Sequence, residues 1–196
     1  MTSLCWFRND LRVHDQPALS AAAQESATMA LYIATPEQWH LHGDAPVKVD
    51  FWLRAVHSLR KELAELNIPL KWLVVEKWSD VPEALLKFCH QHKINSVHCN
   101  REHGVNERQR DRAAYSLLKD QGISLTGHHG GTLLVPGTVK TGADQFYRVF
   151  TPFSKACKEI LRTAPYRLSK APAKQKAGLL PSSDPLPDHM PGWSKP

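Results

Sequence analysis

Short apolar runs recur along the chain at residues 4–7, 29–33, 70–75, 96–99 and 123–126, each bounded by polar or turn-forming residues. Runs of this length read as strands buried on both faces. The stretches between them carry a helical period instead. In the longest, residues 44–66, Trp52, Ala55, Val56, Leu59, Leu63 and Leu66 share one helical face, and Asn67 ends it. Asp15 and Pro17 open a shorter helix through residue 23, because proline at a first helical position loses no hydrogen bond the helix needs. Asp80 and Glu83 have the spacing of a capping box ahead of a helix reaching Phe88. Residues 106–119 make the next predicted helix, stopped near Gly122, and residues 151–161 the last. The segment 35–44, with Thr35-Pro36 and His42-Gly43, reads as a loop.

Strict alternation of buried strand and helix implies an α/β fold. The expected architecture is a Rossmann-like, doubly wound, five-stranded parallel sheet with helices on both faces. Ligands of such sheets sit beyond the carboxyl ends of the strands. The segments 8–15, 35–44, 100–107 and 128–132 should therefore share one rim. After residue 150 the pattern changes: eight of the 14 prolines lie in residues 151–196. Residues 1–162 are expected to form one α/β domain, and 163–196 an unpacked, proline-rich, basic linker.

Composition adds little to the fold but narrows the chemistry. Residues 1–150 hold 17 Lys/Arg against 16 Asp/Glu, a net +1, while residues 151–196 hold 8 against 3, a net +5. The folded part is thus no strong polyanion binder, and the basic excess belongs to the tail. Cys5, Cys89, Cys99 and Cys157 form no C-x-x-C pair, so buried free thiols are expected rather than zinc or disulfides. Arg8 interrupts the first apolar run too early for a signal peptide, and no apolar run is long enough for a membrane span. A cytoplasmic protein that meets no membrane is expected. There is no G-x-G-x-x-G after the first strand, no Walker A sequence, no G-x-S-x-G and no H-E-x-x-H, which argues against dinucleotide, P-loop, hydrolase-elbow and zinc-protease chemistry. The histidines in loops, His40, His42, His128 and His129 among them, are expected to be solvated rather than metal ligands.

Three stretches in order carry a family resemblance. Trp6-Phe-Arg-Asn-Asp-Leu-Arg12 with Val13-His-Asp15 and Ala18-Leu19 resembles the opening signature of the photolyase/cryptochrome family. Val105-Asn-Glu-Arg-Gln-Arg-Asp111 and Tyr147-Arg-Val-Phe-Thr-Pro-Phe153 are similar to two later stretches of it. Leu31-Tyr-Ile-Ala-Thr-Pro36 and Trp39 further resemble the bacterial folate-type members that repair cyclobutane pyrimidine dimers. The resemblance implies an amino-terminal α/β domain that holds an antenna pigment, 5,10-methenyltetrahydrofolate or, alternatively, a deazaflavin. It also implies a helical FAD-binding domain, the natural partner, which binds damaged DNA and splits the dimer by electron transfer from photoexcited reduced flavin. That domain has no counterpart in these residues, so the chain alone is expected to bind no FAD stably and to repair nothing. The same signature occurs in blue-light photoreceptors of the cryptochrome type, which remains the alternative.

By the same resemblance Asn106, Glu107 and His42 hold the antenna pigment. A carboxylate can accept two parallel N–H bonds from a pterin edge, and an amide beside it offers both a donor and an acceptor. Their ordinary structural roles would be a helix N-cap for Asn106 and a first-turn acid for Glu107. Arg8, Asp10 and Arg12, just past the first strand, are expected at the pocket or at the domain interface. Otherwise they form a surface Arg–Asp pair of little weight. No residue is expected to be catalytic and none to bind metal. Tyr147, Phe150, Pro152 and Phe153 either pack the last helix on the sheet or stay exposed for the helical domain.

Overall fold

The computed structural model describes residues 1–164, 166 and 168–194. Five strands, β1 (Thr2–Phe7), β2 (Ala27–Ala34), β3 (Leu70–Val74), β4 (Ile94–Asn100) and β5 (Ser124–His128), form one sheet in the order β3-β2-β1-β4-β5. Every neighbouring pair is parallel. The helices between them are α1 (Pro17–Glu25), α2 (Pro36–Leu41), α3 (Pro46–Glu65), α4 (Val81–Gln91) and α5 (Val105–Asp120), with a 3-10 turn at Trp78–Asp80 and a last helix α6 (Phe150–Thr163). The chain winds outward from β1 to β3, then returns across β1 to add β4 and β5. The switch point therefore lies between β1 and β4.

Side chains alternate along the strands, and each alternation feeds a separate core. Cys5, Phe7, Ala30 and Tyr32 pack against Leu19 of α1 and Leu53, Val56 and Leu59 of α3. Leu4, Trp6, Met29, Leu31 and Val97 pack against Leu85 of α4 and Leu118 of α5. Cys5, Cys89 and Cys99 are buried free thiols, and burial pushes the Cys99 thiol up to about 11. Among the described residues no helix is long and apolar enough to cross a membrane.

Four readings of the sequence need correction. The segment 35–44 is not all loop: α2 occupies Pro36–Leu41 and buries Trp39. Asp80 does not cap α4 with its side chain, because the 3-10 turn runs straight into the helix and leaves Asp80 in a helical conformation, with its carboxylate taken by the Ser79 hydroxyl at 3.0 Å. Gly104, not Asn106, is the N-cap of α5. The segment after α6 is irregular, as its prolines foretell, but it is not unpacked. Gln175 bonds both the N–H and the carbonyl of Thr28 at 2.9 and 3.0 Å. Asp184 accepts from Lys71 at 2.7 Å and from the Trp72 N–H at 3.0 Å, and donates its own N–H to the Leu70 carbonyl at 3.0 Å. Met190 is buried, and Trp193 stacks on His40 at 4.1 Å. The tail so occupies the open edge of β3, where an uncovered strand would invite pairing with another chain. Pro165, Arg167, Lys195 and Pro196, which fall in the expected linker, lie outside the described residues.

Candidate functional site

The carboxyl ends of the strands carry the rim expected from the alternation. A cavity of about 150 Å³ opens there, lined by residues of β1, β2, α2, α3, the 3-10 turn and α5. Its walls are aromatic: Trp6, Tyr32, Trp39, Trp52 and Trp78 all face it. Trp39 and Trp52 lie 5.5 Å apart at 47°. The guanidinium of Arg8 sits 4.8 Å and that of Arg110 5.0 Å from the centre of the Trp6 ring, and Arg110 also lies 5.2 Å from Trp78. Such contacts are each worth about 0.5–2 kcal/mol and fix the indole planes.

The two arginines are held by a compact ionic lattice. Nη1 of Arg8 donates to both carboxylate oxygens of Asp111 at 2.9 Å. Arg110 donates to Glu102 at 2.7 Å and to Asp111 at 2.8 and 3.0 Å, and Asn9 donates to Glu102 at 2.7 Å. Burial works against the charge of Arg8, but its acidic neighbours, Asp111 and Glu102 among them, outweigh it and raise the pKa, so the group stays cationic. The arginine is only 7% exposed, and its Nη2 has no hydrogen-bond partner among the described residues, while its Nε has only a 3.5 Å approach to Glu102. A buried guanidinium nitrogen left open beside a cavity is a donor waiting for an acceptor.

Glu107 faces the same cavity, half-buried in the first turn of α5. Its carboxylate lies back over Gly104, where any Cβ would collide with it. The absence of a side chain at the N-cap is what gives Glu107 this position. A cationic donor, an acidic acceptor and aromatic walls thus meet in one small space. That combination suits the polar edge of a flat heterocycle.

The predicted site residues separate into three groups. Glu107, His42 and Arg8 line the cavity together. His42 is exposed at its mouth, edge-on to Trp78 at 5.0 Å, with its Nε2 3.1 Å from the Gln38 amide. Asn106 is exposed and lines an adjoining cleft with Gln38 and Gln109, which shares Trp78 and Arg110 with the cavity. Asp10 and Arg12 lie in a third cleft near the switch point. They do not form the surface ion pair that proximity suggested. Asp10 accepts from the Arg8 backbone at 3.0 Å, from Gln16 at 2.9 Å and from Asn100 at 2.6 Å, and so ties β1 to β4. Arg12 donates to the carbonyls of Asp15 at 2.6 Å and Gly130 at 2.8 Å. Gly130 presses on Asn100: a Cβ there would come within 2.6 Å of the amide.

Sequence reasoning missed the tryptophan walls, because a single tryptophan reads as core. It also missed Lys48, Glu102 and Arg110 as lining residues. One signal was available for Arg110: it lies three residues after Glu107, which puts both on one side of α5. Tyr147, Phe150 and Phe153 do not pack α6 on the sheet. No residue of α6 is buried, and Phe150 is 77% exposed.

Comparison with known proteins bears on the family and the fold. Residues 3–175 match the family model described as DNA photolyase. The chain is 40% identical over 154 residues to a deoxyribodipyrimidine photo-lyase of Vibrio cholerae, covering 78% of this chain and 33% of that protein. It is 35% identical over 184 residues to the Escherichia coli protein of the same name, covering 93% of this chain and 39% of the relative. It therefore spans between a third and two fifths of their length. A Synechocystis cryptochrome shares the fold with a TM-score of 0.77 at 24% identity, over 94% of this chain and 39% of that one. With the family model matching most of its residues, the chain belongs to the DNA photolyase family.

Proposed function

We propose that this chain is the pigment-holding α/β part of a light-driven DNA-repair enzyme, a deoxyribodipyrimidine photo-lyase that splits pyrimidine dimers. The observation that carries the reading is the convergence of Glu107 and the open donor of buried Arg8 on one tryptophan-walled cavity. The family pairs a flavin with a folate or deazaflavin antenna, and the residues here suit a 5,10-methenyltetrahydrofolate head group. Glu107 would accept its ring N–H groups, Arg8 would donate to a ring oxygen, and the indoles would exclude water from its faces. Asn106 and His42 would grip the parts that project beyond the cavity. The bound pigment supplies light absorption and energy transfer, and the protein's part is to hold it at fixed orientation. At about 150 Å³ the cavity takes a ring rather than a whole folate, so this chain alone should hold the pigment weakly.

Dimer splitting by photoexcited reduced FAD belongs, on this reading, to a helical domain to which no residue of this chain is assigned. The exposed apolar face of α6, with Phe150, Phe153 and Ile160, supports a docking role toward such a domain. The photo-lyase names of relatives at 35–40% identity favour repair over photoreception, and the buried thiols suit the cytoplasm. The test is Glu107→Ala in a protein that joins this chain to its flavin domain. The near-ultraviolet pigment band and its share of the action spectrum should fall, while repair driven by direct flavin excitation persists. Unchanged near-ultraviolet absorbance of the purified holoprotein would contradict the assignment.

A further inference from the structure

A further cleft, about 600 Å³, lies between another face of α5 and β5, and its size suits a small molecule. Arg108 and Arg112 stand one turn apart on its α5 wall, and Arg101 enters from the end of β4. His103 and His129 add a stacked pair with ring centres 6.5 Å apart at 13°. The carboxylates at its margin, Glu102 and Asp111, are already matched by Arg8 and Arg110. Among the described residues no ion pair involves Arg101, Arg108 or Arg112.

Arg101 is set in place rather than loose. Its Nε donates to the Gly127 carbonyl at 2.9 Å. A Cβ on Gly127 would come within 2.9 Å of its Cγ, so glycine there is what lets the arginine lie across β5. Its terminal nitrogens make no hydrogen bond among the described residues, so the broad end of the fork is free.

The cluster is also local. Residues 1–150, which hold every residue of the cleft, carry 17 basic against 16 acidic side chains, a net +1, and the packed part of the basic tail lies at β3, the opposite edge of the sheet from β5. A concave concentration of arginines on a nearly neutral domain fits a compact anion better than an extended polymer, whose phosphates need a basic track. Guanidinium forks match phosphate oxygens in pairs, and Tyr115, 49% exposed on the same wall, offers a ring face beside them. We propose that this cleft binds a small phosphate-bearing molecule, a phosphate ester or pyrophosphate, at a site separate from the pigment cavity.

Calorimetric titration of the purified chain with inorganic phosphate, pyrophosphate and a nucleoside diphosphate tests this, with a DNA duplex series as the competing arm. Saturable binding should strengthen from phosphate to pyrophosphate. The double variant Arg108→Gln/Arg112→Gln should lose at least about tenfold in affinity, with an unchanged melting curve because both positions are exposed and unpaired. Glu107→Ala should leave this binding intact, which separates it from the pigment assignment. Absence of saturable pyrophosphate binding would overturn the proposal, as would equal affinity in the double variant. It would equally be overturned by duplex binding that tightens with length and displaces pyrophosphate, because the surface would then be a polymer contact.

Discussion

Helices α3 and α6 carry similar apolar stripes and meet opposite fates. In α3, Val49, Leu53, Val56, Leu59 and Leu63 are buried against the sheet, and the tail closes over that side through His57 and Pro187. In α6, Phe150, Phe153 and Ile160 remain 77%, 37% and 36% exposed, and no residue of the helix is buried. Periodicity states which face of a helix is apolar. It does not state whether anything lies against that face, which depends on where the connections carry the helix. The crossover from β2 to β3 delivers α3 onto the sheet, whereas among the described residues no strand follows α6.

Stability measurements should separate the two helices clearly. Leu59→Ala, at a position with no exposure, should lower unfolding free energy in urea by about 3 kcal/mol, since it opens a cavity in a packed core. Equal tolerance of Leu59→Ala and of Phe150→Ala would dissolve the contrast. The next largest effect is expected in the cover of β3. Asp184→Ala removes the Trp72 N–H acceptor and the carboxylate partner of buried Lys71, which keeps only the Ser182 carbonyl, and should cost roughly 1–3 kcal/mol. Hydrogen exchange should then quicken at β3 and not at β4.

A smaller effect should follow pH. Burial, with help from His98, Arg101 and His129, lowers the pKa of His128 below the ordinary histidine value. The unfolded chain therefore takes up that proton first as pH falls. The stabilisation is fully present above the ordinary histidine range and is lost as pH drops through it to the lower folded value. His92, lowered first by burial and then by Lys71, acts in the same direction. Stability should decline as pH falls from neutral through the ordinary histidine range, and His128→Asn should flatten the slope. The smallest effect is expected on α6, where Phe150→Ser should change stability by less than roughly 0.5 kcal/mol while reducing dye binding to exposed apolar surface.

Where the sequence was transparent, the reason is local. All five strands stand where short apolar runs stand, although the edge strand β5 buries none of its residues and so is not covered on both faces as its run suggested. Helix α2 was hidden because six residues with one buried tryptophan carry no readable period. The packed tail was hidden because single polar residues hold it, with Gln175 147 positions from Thr28 and Ser183 113 from Leu70. The site divides in the same way. The family resemblance singled out Glu107, His42 and Arg8, and the fold brings these three to one cavity. The partner that orients Arg8, Asp111, lies 103 residues away, and the four tryptophans come from four separate segments that only the fold assembles.

Titration of the chain with 5,10-methenyltetrahydrofolate, followed by quenching of tryptophan emission, reaches most directly the idea that Glu107 anchors a pigment among the indoles. Saturable quenching weaker than micromolar, lost in Glu107→Ala and kept in Arg108→Gln/Arg112→Gln, is the expected result. Identical quenching in Glu107→Ala, or no saturable quenching by the unaltered chain, would contradict it.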